Sequence, residues 1–221
     1  MYEPADAARN LYFIQSGQVR IFQVGPDDSA RLLEILGPND WFGAPALARS
    51  ASYGTRAVTA SKAAVSEIPV SRVMQALPQT PEASAELIAE LAGKLQAAYD
   101  DAANLVFSDT EGRLLKTLLQ FSRSAAASPQ EGGGVVLRIT HQQLAQAVGA
   151  ARETVSLTLT QLRQKNLLRT GRNRLSFTPE VLEQFSRERQ AKAGVRAGAA
   201  DEASAGAGGE TQAATGLSGG T

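Results

Sequence analysis

Ile139-Thr140-His141-Gln142-Gln143-Leu144-Ala145-Gln146-Ala147-Val148-Gly149-Ala150-Ala151-Arg152-Glu153-Thr154-Val155-Ser156 is the stretch that decides the fold. Its spacing predicts two short helices joined by a tight turn. Thr140 can cap the first helix through its hydroxyl, and Leu144, Ala147 and Val148 form its buried stripe. Gly149 supplies the backbone freedom the turn needs. The second helix opens on Arg152 and Glu153, while Val155, Leu159 and Leu162 point back into the core. An exposed tip of this kind suits the major groove, where Arg grips guanine O6 and N7 and Glu accepts from cytosine N4. The pattern therefore predicts a helix-turn-helix that reads DNA.

The charge around this stretch agrees with that reading. The chain is neutral overall, yet residues 1–107 hold 8 Lys/Arg against 12 Asp/Glu and residues 108–190 hold 12 against 7. Arg138, Arg152, Arg163, Lys165, Arg169, Arg172 and Arg174 cluster with Glu153 as the one acid among them. A solvated charged face would share this composition; the helix-turn-helix embedded in it points to phosphate. With no cysteine, disulfides, iron–sulfur clusters and thiol redox sensing are excluded. No apolar run approaches a membrane span, and Met1 to Asp6 lack the features of a signal peptide, so a cytoplasmic protein without membrane contact is expected.

An α+β fold is predicted. Leu11–Ile14, Val19–Val24, Arg31–Leu36 and Ala63–Ile68 read as short strands, punctuated by turns at Gly17, at Gly25-Pro26 and at Gly37-Pro38. Such spacing suggests a small antiparallel barrel or jelly roll over residues 1–79. A long helix follows within residues 80–107, starting at Pro81. Its apolar positions Ile88, Leu91, Leu95, Ala98, Ala102 and Leu105 recur at alternating steps of three and four, a heptad seam for two parallel copies. The same stripe could also pack on the chain's own barrel, since Leu87 and Val106 widen it; a homodimer is the expected use.

Residues 108–190 form the expected DNA-binding domain. Ser108-Asp109-Thr110 recaps the chain before a helix from Glu111 to about Arg123, and Ala125 to Gly134 reads as a flexible connector. Gly132-Gly133-Gly134 lacks the Gly-Lys-Ser/Thr of a phosphate loop and reads as a turn. Residues 167–170 and 174–177 make a β-hairpin wing around Gly171-Arg172-Asn173. Residues 191–221 are dominated by Ala, Gly, Ser and Thr and are expected to be a disordered tail.

Barrel, long helix and winged helix-turn-helix, in this order, resemble the cyclic AMP receptor/FNR family of bacterial transcription regulators over roughly residues 1–185. The residues that carry the resemblance are Leu11-Tyr12-Phe13-Ile14-Gln15-Ser16-Gly17 in the barrel, Asn104-Leu105, Asp109 and Gly112-Arg113 at the hinge, and Gly149 to Val155 in the reading head. The resemblance implies double-stranded DNA and RNA polymerase as partners. It also implies base contacts from Arg152 and Glu153. Where the family usually has a second Arg, Leu157 stands, so operator preference at that base pair should differ by roughly 1–3 kcal/mol. Thr140, Gln142, Ser156 and the wing residue Arg174 are placed to touch phosphates, which position without specifying.

The departures bear on the effector. Family members that bind cyclic AMP carry Gly-Glu where this chain has Gly43-Ala44, and an Arg-Ser pair where it has Tyr53-Gly54, with Arg56 a shifted substitute. The hydroxyl residues that contact adenine fall at Ala98 and Tyr99. Losing several charge-assisted contacts at once should abolish tight binding, so no cofactor is expected and cyclic AMP is not expected as effector. Oxygen sensing of the FNR kind needs cysteines, and haem sensing needs a barrel histidine; the sole histidine, His141, lies in the reading head as a helix-start or phosphate-contact residue. Relative to the family the N-terminus is short by a helix and a strand, which implies either a late start or an incomplete barrel.

The leading expectation is a homodimeric regulator binding a pseudo-palindromic operator. The alternatives are a regulator dependent on a cyclic nucleotide or another small effector, and a regulatory protein-interaction module. An enzyme is not expected: no metal site is implied, Asp27-Asp28 and Asp100-Asp101 are adjacent pairs that point apart, and no nucleophile pairs with a histidine.

Overall fold

The structure is a computed structural model in which residues 1–48, 50–60 and 62–191 are described, except for the side chains of 104–107. The expected tail, apart from residue 191, therefore lies outside the described residues. Met1–Leu182 form one compact unit, and a second begins at Glu183. In the second, residues 183–191 are helical and carry an Arg187–Glu183 ion pair at 2.6 Å.

The first unit opens with two antiparallel three-stranded sheets. Strands β1 (Asn10–Ser16), β4 (Trp41–Phe42) and β6 (Ala64–Pro69) form one, in the order β4-β1-β6; β2 (Val19–Val24), β3 (Ala30–Leu36) and β5 (Thr55–Thr59) form the other, in the order β3-β2-β5. Alternation in β2 buries Val19 and Ile21 and turns Arg20 and Phe22 toward the other face. Tyr12, Ile14 and Phe42 from one sheet meet Val19, Ile21, Leu36 and Ala57 from the other in a single core. No ladder joins the sheets among the described residues, so the expected barrel is an open, two-sheet jelly roll. The N-terminal segment lies along its edge, bridging Tyr2 to Ala57 and Ala7 to Ser52.

A short helix α1 (Val70–Ala76) leads to the long helix α2 (Pro81–Phe107). Asp109 then caps α3 (Thr110–Phe121), accepting from the Gly112 amide at 2.9 Å. The domain continues with β7 (Ala127–Pro129), β8 (Val135–Leu137), α4 (His141–Val148), α5 (Arg152–Gln164), β9 (Arg169–Gly171) and β10 (Arg174–Phe177). The connector expected over Ala125–Gly134 is corrected here. Its residues Ala127–Pro129 are a strand pairing with β8, so the wing belongs to a four-stranded sheet in the order β7-β8-β10-β9. Backbone pairing holds this strand, whose Ser128 and Pro129 are exposed. Leu114, Leu118, Leu144, Val155, Leu159 and Leu162 are essentially fully buried and hold α3, α4 and α5 together. Each such side chain contributes about 1.5–3 kcal/mol of burial.

Candidate nucleic-acid interface

The reading head is built by its caps. Thr140 accepts from the Gln143 amide at 3.1 Å while the Gln143 side chain accepts from the Thr140 amide at 3.0 Å, a reciprocal box that starts α4 firmly. Gly149 ends it at φ 67°, in the left-handed region; a Cβ there would meet no atom within 4 Å, so conformation rather than space requires glycine. Ala151 offers no side-chain cap to α5, which leaves the first amides of that helix open toward an anion.

On α5 the division of faces is sharp. Val155, Leu159 and Leu162 are buried, whereas Arg152, Glu153 and Leu157 are exposed, Leu157 by 61 %. Glu153 and Leu157 are four residues apart and share one side of the helix, with Arg152 beside them at its tip. Thr158 is buried but satisfied, donating to the Thr154 carbonyl at 2.9 Å. Of the expected phosphate contacts, Gln142 and Arg174 are exposed, while Thr140 is half-buried in its capping box. Ser156 is also half-buried, and its Oγ lies 2.9 Å from Nδ1 of His141, which joins the starts of the two helices. The wing turn places Asn173 at φ 53° between β9 and β10, presenting Arg172 and Arg174 to solvent.

Arg113, named above only for the resemblance at the hinge, has a bonding role in this head that the sequence does not show. Arg113 donates from Nε to the Val148 carbonyl at 3.1 Å and from Nη1 to the Ser108 carbonyl at 2.9 Å. A single guanidinium thus ties the start of α3 to the last turn of α4. Nothing local signals a partner 35 residues away.

The residues matched to a nucleotide pocket take other places. Gly43 sits at φ 94°, where a Cβ would approach the Asn10 carbonyl at 2.8 Å, and Ala44 opens a 3-10 turn. Gly54 has φ 69°. Arg56 faces away from the core and is held by carboxylates, with Nε 2.7 Å from Glu3 and Nη2 3.4 Å from Asp28. The hydrogen bond to Glu3 is the main reason its pKa is raised. Tyr53 is buried, its hydroxyl donating to the Asn10 carbonyl at 2.8 Å.

Tyr53 belongs to an aromatic cluster that occupies the space between the sheets. It stacks on Tyr2 at 3.9 Å between ring centroids, and Tyr12 stacks on Phe42 at 5.0 Å. Burial raises the pKa of both Tyr2 and Tyr12 from the ordinary 10.0. The folded chain thus keeps protons that the unfolded chain releases, so the contribution of these phenols is complete below pH 10.0 and is lost as pH climbs from there through their raised values in the folded chain. Denaturant unfolding followed against pH is expected to show a stability drop beginning near that value, reduced in Tyr12→Phe. Ultraviolet absorbance showing all four tyrosines ionised in a still-folded chain would contradict this.

Helix α2 has two unlike sides. Toward the jelly roll, Lys94 pairs with Glu34 at 2.8 Å and lies 5.8 Å over the Trp41 ring, whose Nε1 donates to Glu90. Of the seam, Leu91 is half-buried, whereas Ala98 and Ala102 are exposed, as are Ile88 (67 %) and Leu95 (53 %). Tyr99 is exposed too, 62 %. The Leu105 side chain lies outside the described residues. The alternative use of the stripe, against the chain's own jelly roll, is thus limited to its margin.

Among the described residues no group of His, Asp and Glu has the arrangement of a metal site, and no helix is long and apolar enough to cross a membrane. Residues 1–80 match the cyclic nucleotide-binding domain, and residues 112–185 match the Crp-like helix-turn-helix domain. A CRP-like cAMP-activated global transcriptional regulator of Mycobacterium tuberculosis is 34 % identical over 171 residues, 76 % of this chain and 73 % of that protein. The cAMP-activated global transcriptional regulator CRP of Escherichia coli is 31 % identical, covering 74 % of this chain and 78 % of its own length. The crystal structure of a CRP-family transcriptional regulator from Thermus thermophilus superposes with a TM-score of 0.66 at 25 % identity, covering 84 % of this chain and 92 % of that one. Both ends of the molecule, and the reading head whose exposed and buried faces were described above, lead to one statement: this chain belongs to the Crp/Fnr family of transcription regulators, not of enzymes, and joins a cyclic nucleotide-binding domain to a helix-turn-helix that binds DNA.

Proposed function

We propose that two copies of this chain pair along α2 and read a pseudo-palindromic operator, one half-site per copy and about 34 Å apart, without cyclic AMP. The observation that carries the reading is the exposed Arg152–Glu153–Leu157 surface at the leading end of α5, backed by buried Val155 and Leu159. Exposed Ile88 and Leu95 support the pairing, because a seam of this spacing in water lacks its partner. Independence of cyclic AMP is supported by the rings of Tyr2, Tyr12, Phe42 and Tyr53 between the sheets, by Ala44, and by the carboxylate-held Arg56. Such a regulator needs no cofactor and works in the cytoplasm, and RNA polymerase is the protein it meets at the operator.

A second reading, dependence on a cyclic nucleotide, is favoured by the domain match over residues 1–80 and by the two relatives described as cAMP-activated. It requires the tyrosine cluster to move aside. Selection from random duplexes is expected to return a two-fold symmetric site bound without any nucleotide, with an affinity that falls as salt rises because counterions are released. Flat salt dependence would instead favour a protein-interaction role for the winged domain. Calorimetry with cyclic AMP decides between the two main readings: a sub-micromolar Kd overturns the nucleotide-free one.

A further inference from the structure

Arg20 serves no purpose in the functions above. It lies on the side of β2 opposite Val19 and Ile21, on the outer surface of the jelly roll, and it faces a cleft of about 660 Å³ beside the wing. Three further arginines line the same cleft, Arg138, Arg172 and Arg174, together with Thr140 and Gln143 at the start of α4. Its lining holds neither a carboxylate nor an aromatic ring. Among the described residues none of the four arginines forms an ion pair. Among the described residues Arg20 reaches only the Gln18 side chain, at 3.4 Å, and its buried Nε has no hydrogen-bond partner. Burial lowers the pKa of this guanidinium, with no compensating charge beside it.

Four cations converging on one space repel each other, and a buried donor without a partner carries the full cost of its lost hydration. A bound anion relieves both at once. Guanidinium forks match phosphate oxygens in bidentate pairs, and the cleft falls within the volume range of small-ligand sites, about 300–1,000 Å³. With no ring to stack on a base, the lining selects for phosphate and not for nucleobase. We propose that this cleft binds a phosphate-bearing anion, clasped between Arg20 of the jelly roll and Arg138, Arg172 and Arg174 of the winged domain. The phosphate comes either from a free phosphorylated compound or from the DNA backbone running past the wing. In either case the ligand joins the regulatory domain to the reading domain, beyond what Arg152 and Glu153 do.

Calorimetry of the full chain with inorganic pyrophosphate, alongside titration of a random duplex at two salt concentrations, tests this. Pyrophosphate is expected to bind the wild type and to weaken at least tenfold in Arg20→Gln, with Arg20→Lys in between, because it keeps the charge and loses the fork. Should Arg20→Gln fail to fold, Arg172→Gln, at an exposed turn, is expected to show the same loss. If the source is a free compound, duplex affinity in Arg20→Gln stays within twofold of wild type. If it is the DNA backbone, pyrophosphate competes with the duplex and the salt slope falls by about one in Arg20→Gln. Pyrophosphate binding that is absent or indifferent to Arg20 and Arg172, with an unchanged salt slope, overturns the proposal. Operator selectivity through Arg152 is a separate measurement, so either idea can fail alone.

Discussion

Replacing Leu95 by glutamate is expected to turn a dimer into a monomer and to reduce operator affinity at least a hundredfold. Helix α2 spans 27 residues, about 40 Å, and the side opposite its Lys94–Glu34 and Trp41–Glu90 contacts exposes Ile88 and Leu95. In a paired seam each of these becomes a buried knob, and a carboxylate at such a position must shed its water without a cation to meet it. The monomer itself loses nothing, because Leu95 is more than half exposed within one chain. Sedimentation should therefore show a halved mass in a chain that still folds, with a thermal midpoint lowered only by what pairing contributed and no longer dependent on concentration. Affinity falls because the second half-site is no longer engaged as an intramolecular event. A Leu95→Glu protein that remains dimeric removes α2 as the interface.

The second large effect is at the tip of α5. Arg152→Ala is expected to erase preference at one base pair in each half-site, costing about 1–3 kcal/mol per contact, or roughly five- to 150-fold in specific affinity for each half-site. Non-specific binding should change little. The substitution is confined to the surface, since Arg152 is exposed and the core below is held by Val155 and Leu159. Arg174→Ala gives the contrast: a wing contact to phosphate carries no sequence information, so all duplexes should weaken together. Quantitative footprints on a set of operator variants distinguish the two patterns. Identical changes for both substitutions would falsify the division between reading and positioning.

The reading head was legible because its signals are local and redundant. A hydroxyl cap at Thr140, an apolar 3.6 period and Gly149 at the turn all point to one structure. The strands were legible where alternation is strong, as in Val19–Val24, and missed where it is weak. In Thr55–Thr59 only Ala57 is buried, and α1 buries no residue at all, so neither has a pattern to read. Long-range features were the least legible. Tyr2 reads as one aromatic residue near a terminus until the fold sets it against Tyr53, 51 positions on. The resemblance puts the phosphate-binding pair at Tyr53-Gly54 and offers Arg56 as a shifted substitute, but Arg56 is held by Glu3 and Asp28. The convergence of Arg20 with the wing was equally hidden, since more than a hundred residues separate them.

The bridge from Arg113 to Val148 has a mechanical corollary. A hydrogen bond from a charged donor is worth about 1.5–3 kcal/mol, and this one spans the gap between the chain's hinge and the turn that launches α5. For the winged domain to pivot, sliding α3 past α4 means breaking that bond, whereas carrying both along does not. A rotation applied at Ser108 is therefore expected to reach the fingertips with α3 and α4 moving as one body, in the manner of a key turned by its bow.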